Sequence, residues 1–103
     1  MSIKKQYLKK EPVCKVTFRI ANGHGLEAND IRLLGDFNNW DASTGSMKKL
    51  KSGEFTQVLK LETGREYQFR YFVDGAFWEN EPEADKLIPN GFDKDDYNSV
   101  IVL

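Results

Sequence analysis

The residues of this chain best suited to chemistry are its tryptophans and the polar groups beside one of them. Gly35-Asp36-Phe37-Asn38-Asn39-Trp40 closes an apolar, branched run and sets an indole next to carboxylate and carboxamide groups. That combination suits a sugar, because an indole covers the apolar face of a pyranose ring while amides and carboxylates take its hydroxyls. Trp40 equally suits the core tryptophan that β-sandwiches carry, and on residue pattern alone the usual burial of tryptophan favours that role. Trp78, the second tryptophan, follows an Asp74-Gly75 turn at the end of an alternating run.

Other chemistries are poorly served. His24 is the only histidine, so a histidine metal site or a Ser-His-Asp triad would rest on it alone. It lies in a Gly-rich stretch with no Ser or Cys close by, and it reads as an exposed loop residue. Gly23 to Ala28 matches G-x-G-x-x-A, but a pyrophosphate site needs a helix to begin there, and the next strand starts at Ile31. The last quarter is crowded with Glu79, Glu81, Glu83, Asp85, Asp93, Asp95 and Asp96. Glycoside hydrolysis needs two carboxylates about 5–9.5 Å apart across a cleft, and a sandwich this small has little material for one. Asp93 to Asn98 lacks the glycine and the closing glutamate of a calcium loop. These acids, like the basic Lys4, Lys5, Lys9 and Lys10, read as solvated surface rather than a metal or nucleic-acid site. With no nucleophile–base arrangement, the expectation is a non-enzyme without cofactor or metal.

The elements that must position the tryptophans are strands. Val16, Phe18 and Ile20 alternate with Thr17 and Arg19, and Tyr67, Phe69, Tyr71 and Val73 alternate with Gln68, Arg70, Phe72 and Asp74. Both runs have the period of a strand with one buried face. Ile31–Leu34, Phe55–Leu61 and Asn98–Leu103 are further strands by composition. Asn22-Gly23, Asn38-Asn39, Ser52-Gly53, Thr63-Gly64, Asp74-Gly75 and Asn90-Gly91 punctuate them as turns. Short strands at this spacing predict an all-β sandwich or small barrel. The segment from Glu79 to Tyr97 reads as a long, polar, nearly structureless loop, with at most a helical turn over Glu83–Leu87.

A length of 103 residues, 40% hydrophobic and 30% charged, fits a single packed domain over 1–103, with residues 1–11 as a basic N-terminal extension. A net charge of −1 argues against a general affinity for phosphate backbones. Cys14 is the only cysteine, so no internal disulfide forms. No apolar run follows the first lysines and none is long enough to span a membrane, so the expected location is cytoplasmic.

Leu33–Trp40, then Tyr67–Gly75, then Asn98-Ser99-Val100 give the chain a specific likeness. It resembles carbohydrate-binding module family 48, which includes the glycogen-binding domain of AMP-activated protein kinase β subunits and the N-terminal early-set domain of isoamylase and branching enzymes. The likeness covers about residues 12–103. It implies an immunoglobulin-like (early-set) antiparallel β-sandwich and non-catalytic binding of a glycogen- or starch-like α-1,4-glucan, as polysaccharide or malto-oligosaccharide. By position in the family motifs, Trp40 is the residue that stacks on glucose and Asn98 the asparagine that contacts sugar. Arg70 stands where the kinase domains use lysine, and its planar fork still reaches hydroxyls, although the two side chains are not equivalent.

The second family tryptophan follows the D-G turn after one residue, whereas Ala76 and Phe77 precede Trp78 here. A two-residue Asp74-Gly75 loop would pair Phe72 with Phe77, putting Phe77 on Arg70's face and Trp78 toward the core. A three-residue loop with a bulge puts Trp78 on Arg70's face instead. Trp78 is taken as the site residue because its larger face makes the better platform. Leu87 and Phe92 offer further apolar tips but do not align with the family. Early-set domains also dock onto catalytic domains. The alternative is therefore an interaction module for a separate glycogen-metabolising enzyme, using the aromatic face or a sheet edge.

Overall fold

The structure is a computed structural model that describes residues 2–21, 28–90 and 96–103. His24, Phe92, Asp93 and Asp95 lie outside the described residues. The described strands are β1 (Ser2–Tyr7), β2 (Val13–Ile20), β3 (Ile31–Gly35), β4 (Lys48–Lys49), β5 (Phe55–Glu62), β6 (Glu66–Val73), β7 (Phe77–Glu79), β8 (Lys86–Pro89) and β9 (Tyr97–Val102). All their ladders are antiparallel. One sheet has the order β1-β2-β5-β4 and the other β3-β6-β9-β8, with β7 also pairing β6. The chain is an antiparallel β-sandwich, one of the two architectures its alternating runs predict, with the immunoglobulin-like form that the family resemblance implies. Among the described residues no helix is long and apolar enough to cross a membrane.

Period two puts alternate side chains on opposite faces of each sheet. Cys14, Val16, Phe18 and Ile20 of β2 are buried, as are Tyr67, Phe69, Tyr71 and Val73 of β6. The two rows meet between the sheets, where Phe18 stands edge-on to Phe69 with ring centroids 5.2 Å apart. Burying aromatic and branched side chains contributes about 1.5–3 kcal/mol each before entropy is counted. The other face of β6 carries Gln68, Arg70 and Phe72, and it is this outer face that the tryptophans join.

Two segments depart from expectation. The basic N-terminal stretch holds a strand, β1, which pairs along β2 from Ser2↔Arg19 to Tyr7↔Cys14. Its pattern is weak because an edge strand buries little; Ile3 is half-buried against the core. Lys5 carries the contact instead, its Nζ donating to Asp85 at 2.8 Å and to the Val102 carbonyl at 3.1 Å, which clasps this edge to the opposite sheet.

The segment from Glu79 to Tyr97 is not structureless either, and Glu83–Leu87 forms no helical turn. Glu79 belongs to β7, and Lys86–Pro89 is β8, paired to β9. Nor are its acids all solvated surface. Glu81 is 1% exposed. Its carboxylate accepts hydrogen bonds from the Tyr71 hydroxyl and the Glu83 backbone N–H, each at 2.9 Å, and its own N–H donates to Ser99 Oγ at 2.9 Å. Burial, with the Glu81 charge behind it, pushes the Tyr71 hydroxyl well above its ordinary pKa. An apolar pattern was absent because polar bonds, not apolar packing, fold this segment down.

β3 ends where two strands crowd. Gly35 has extended backbone at φ −175°, so its glycine is required by space. A Cβ there would lie 2.5 Å from the Gln68 carbonyl oxygen and 2.8 Å from Phe69 Cβ. Gly35→Ala is therefore expected to destabilise the domain by about 1–3 kcal/mol, the range for overpacking. Thermal denaturation would show it as a fall in Tm of roughly 4–8 °C per kcal/mol; an unchanged Tm would contradict the close approach.

Candidate functional site

The turn after β3 is built by its own side chains. Asp36–Asn38 make one 3-10 turn. Asn38 staples the strand end, accepting from Gly35 N–H at 3.0 Å and donating to the Leu33 carbonyl at 2.8 Å. Phe37 turns inward, with centroids 6.1 Å from Phe18 and 6.4 Å from Tyr67. Asn39 and Trp40 both have φ 56°. Asparagine tolerates this left-handed region, but a bulky residue there is strained by about 1–2 kcal/mol. Trp40 is held by its N–H to the Gly35 carbonyl at 3.0 Å and by its indole Nε1–H to Asp36 Oδ1 at 3.0 Å. Asp36 Oδ2 accepts from Gln68 N–H at 2.8 Å.

Strand register places the second ring. Phe72 pairs with Trp78 and Val73 with Phe77, so the turn is a three-residue loop, Asp74–Ala76. Asp74 at φ 52° and Gly75 at φ 63° give it the left-handed twist a hairpin needs, and Ala76 N–H closes it on the Val73 carbonyl at 2.9 Å. Trp78 therefore shares a face with Phe72 and Arg70. Phe77 falls on the opposite parity, 45% exposed at the sheet margin. Asn98 arrives from β9: Gln68 pairs with Val100, and stepping two residues along each strand puts Arg70 and Asn98 on that same outer face.

Trp40, Arg70, Trp78, Asn90, Asp96 and Asn98 together line a concave site of about 480 Å³. All four residues taken from the sequence are brought together. Trp40 is half-buried and lies outside the core cluster, so the core role open to it on residue pattern is not the one it takes. Its ring lies 6.4 Å from that of Trp78 at 62°, and the two form an angled pair. The Arg70 guanidinium sits 5.3 Å above the Trp78 ring, a cation–π contact that orients it. Arg70 is also paired with Asp96, Nη2 to Oδ1 at 2.9 Å and Nη1 to Oδ2 at 3.5 Å. Asn98 Nδ2 donates to Gln68 Oε1 at 3.0 Å.

Asn90 and Asp96 were missed by sequence reasoning, which read Asp96 as one more solvated acid. Asn90 N–H donates to the Asp96 carbonyl at 3.1 Å, which brings the two together. Nothing local marks this meeting; the pairing of β8 with β9, which ends at Pro89↔Tyr97, sets the two side by side. The arrangement offers two angled apolar ring faces with amide, guanidinium and carboxylate groups between them. Among the described residues no group of three or more His, Cys, Asp or Glu is placed to hold a metal ion.

A family model describing the glycogen recognition site of AMP-activated protein kinase matches residues 16–91 of the chain. That span takes in Trp40, Arg70, Trp78 and Asn90, and ends before Asp96 and Asn98. No curated protein matches the chain at a significant level.

The Asn90 side-chain bond, seconded by the Arg70 charge and hydrogen bond, holds the Asp96 carboxyl below the ordinary carboxylate range, against a smaller opposing effect of burial. A carboxyl depressed in the folded state stabilises it fully above the ordinary value of about 3.9, and that contribution is lost as pH falls through and below it. Carbon-detected NMR titration of Asp96 is expected to give a midpoint below 3.9. Arg70→Ala should raise it toward that value; no movement would mean that the guanidinium does not hold this carboxylate.

Proposed function

Because the chain belongs to the family of glycogen-recognition domains of AMP-activated protein kinase, we propose that it holds an α-1,4-glucan against the exposed faces of Trp40 and Trp78 without transforming it. The family's role is binding and not catalysis. The observation that carries the finer reading is the ring pair, 6.4 Å apart and 62° from parallel, opening onto polar groups. A helically curved glucan turns successive glucose faces through an angle, so two rings set at an angle meet two of them where a flat apolar patch would meet one.

The roles follow from what each group has left to offer. The long Nη1 contact of 3.5 Å to Asp96 makes that nitrogen the one a sugar hydroxyl takes most readily from Arg70. Asn98 spends Nδ2 on Gln68, and its Oδ1 accepts no hydrogen bond among the described residues. A shallow, solvated contact of this size binds a short oligosaccharide weakly, and a polymer with many equivalent chains compensates by multivalency. This reading sets the domain in the cytoplasm, where its buried Cys14 stays a free thiol. Docking to a glycogen-metabolising enzyme is the competing use of the same face, and one measurement separates the two.

Maltoheptaose or β-cyclodextrin is titrated against tryptophan fluorescence, with circular dichroism as the check on folding. The signal is expected to saturate at or below millimolar sugar, and Trp40→Ala to weaken binding about tenfold or more, the effect of about 1.4 kcal/mol of lost ring contact. A silent titration, or a variant that binds as the parent does, would sink the glucan reading in favour of docking.

A further inference from the structure

A second depression, of about 620 Å³, lies on the same outer face and is lined by Asn29, Asp30, Arg32, Phe72, Asp74 and Gly75. Its Phe72 packs against Trp78 of the tryptophan cleft. Arg32 pairs with Phe72 across β3 and β6, and Phe72 with Trp78 across β6 and β7, so the three stand in one row. The Phe72 and Trp78 centroids are 4.5 Å apart at 34°, and Trp78 meets Trp40 in turn. Three aromatic rings thus run unbroken from one depression into the other.

The polar groups around Phe72 are fixed and incompletely used. Arg32 donates Nε to Asp30 Oδ2 at 3.3 Å and Nη1 to the Ala42 carbonyl at 2.6 Å, leaving Nη2 without a partner among the described residues. Asp74 accepts the backbone N–H groups of Asn29 and Asp30, both at 2.8 Å, on Oδ1 alone, and its Oδ2 has no partner among the described residues. Asp30 is itself held by Ser46 Oγ. A half-buried ring face beside a preset guanidinium donor and a carboxylate acceptor repeats the chemistry of the first cleft.

Resting on the glucan reading above, we propose that this depression is a second sugar subsite, with Phe72 as its platform and Arg32 and Asp74 as hydroxyl partners. A linear α-glucan long enough to pass Trp78 is bound across both depressions. A short or closed saccharide fills the first alone.

The test is amide NMR of the chain with maltotetraose, β-cyclodextrin and maltodecaose, alongside titrations of the parent and Arg32→Ala. All three sugars are expected to shift the Trp40 and Trp78 indole signals, and only maltodecaose to add shifts at Asp30–Arg32 and Asp74–Gly75. The affinity ratio of maltodecaose to maltotetraose should fall about three- to tenfold in Arg32→Ala, the worth of one hydrogen bond to a sugar hydroxyl. The statistical gain of a longer chain is common to both proteins and drops out of that comparison. Indole shifts without shifts at 30–32 and 74–75, and with an unchanged ratio, would overturn the second subsite and leave the first standing. Absence of indole shifts with every sugar would overturn both.

Discussion

One carboxylate joins strand pairing to ring placement. The β3–β6 ladder ends at Gly35↔Phe69, and the next β6 amide, Gln68 N–H, is taken by Asp36 Oδ2. The other oxygen of Asp36 takes the Trp40 indole N–H. A charged acceptor makes such bonds stronger than neutral ones, so the end of a core strand and the edge of an exposed indole are tied at one point. Gly35 lets β3 approach closely enough for this, and Phe37 plugs the same turn into the core beside Phe18. Each residue of the Gly35–Trp40 segment therefore acts in a different direction: approach, anchor, plug, staple, twist and display.

Display of a large ring outside the core has to be held against its tendency to bury itself. The backbone conformation at Trp40 is one that bulky residues avoid, and it persists because surrounding bonds over-determine it, as strained positions require. The second ring is held by different means. β7 continues the flank of β6 just past the end of β9, and it stays there because the chain leaving it is bound inward. Ser99 Oγ donates to Asn80 Oδ1 at 2.7 Å, Asn80 Nδ2 donates to the Tyr97 carbonyl at 2.9 Å, and Glu81 follows into the buried network with Tyr71. The polar interior of that segment is thus what keeps Trp78 against Arg70. Such networks rigidify a segment when their buried groups are satisfied, so the apolar core and the aromatic face fold together.

Period-two alternation at Val16–Ile20 and Tyr67–Val73 was enough to predict an all-β sandwich or small barrel and its main buried rows, because burial of one face requires that period. Turn signals located Asn38-Asn39 and Asp74-Gly75 for an equally local reason, the tolerance of Asn, Asp and Gly for left-handed backbone. β1 and β8 were not legible. Edge strands bury little, so Ser2–Tyr7 and Lys86–Pro89 show no apolar alternation, and their place depends on partners distant in sequence. Glu81 looked like its acidic neighbours because nothing local marks the one carboxylate that meets Tyr71.

The aromatic face divides in the same way. The residue types of a sugar platform, Trp40 with Asp36 and Asn38, and the family motifs around them, were properties of the sequence alone, since they depend on neighbours a few positions away. Which of Phe77 and Trp78 joins Arg70 was decided only by the tertiary structure, because one residue of loop length reverses the face of every residue after it. The Arg70–Asp96 pair and the row from Arg32 through Phe72 to Trp78 likewise exist only once separate strands are set side by side. Strand register, a long-range quantity, is what turned a list of aromatic and polar residues into a cleft.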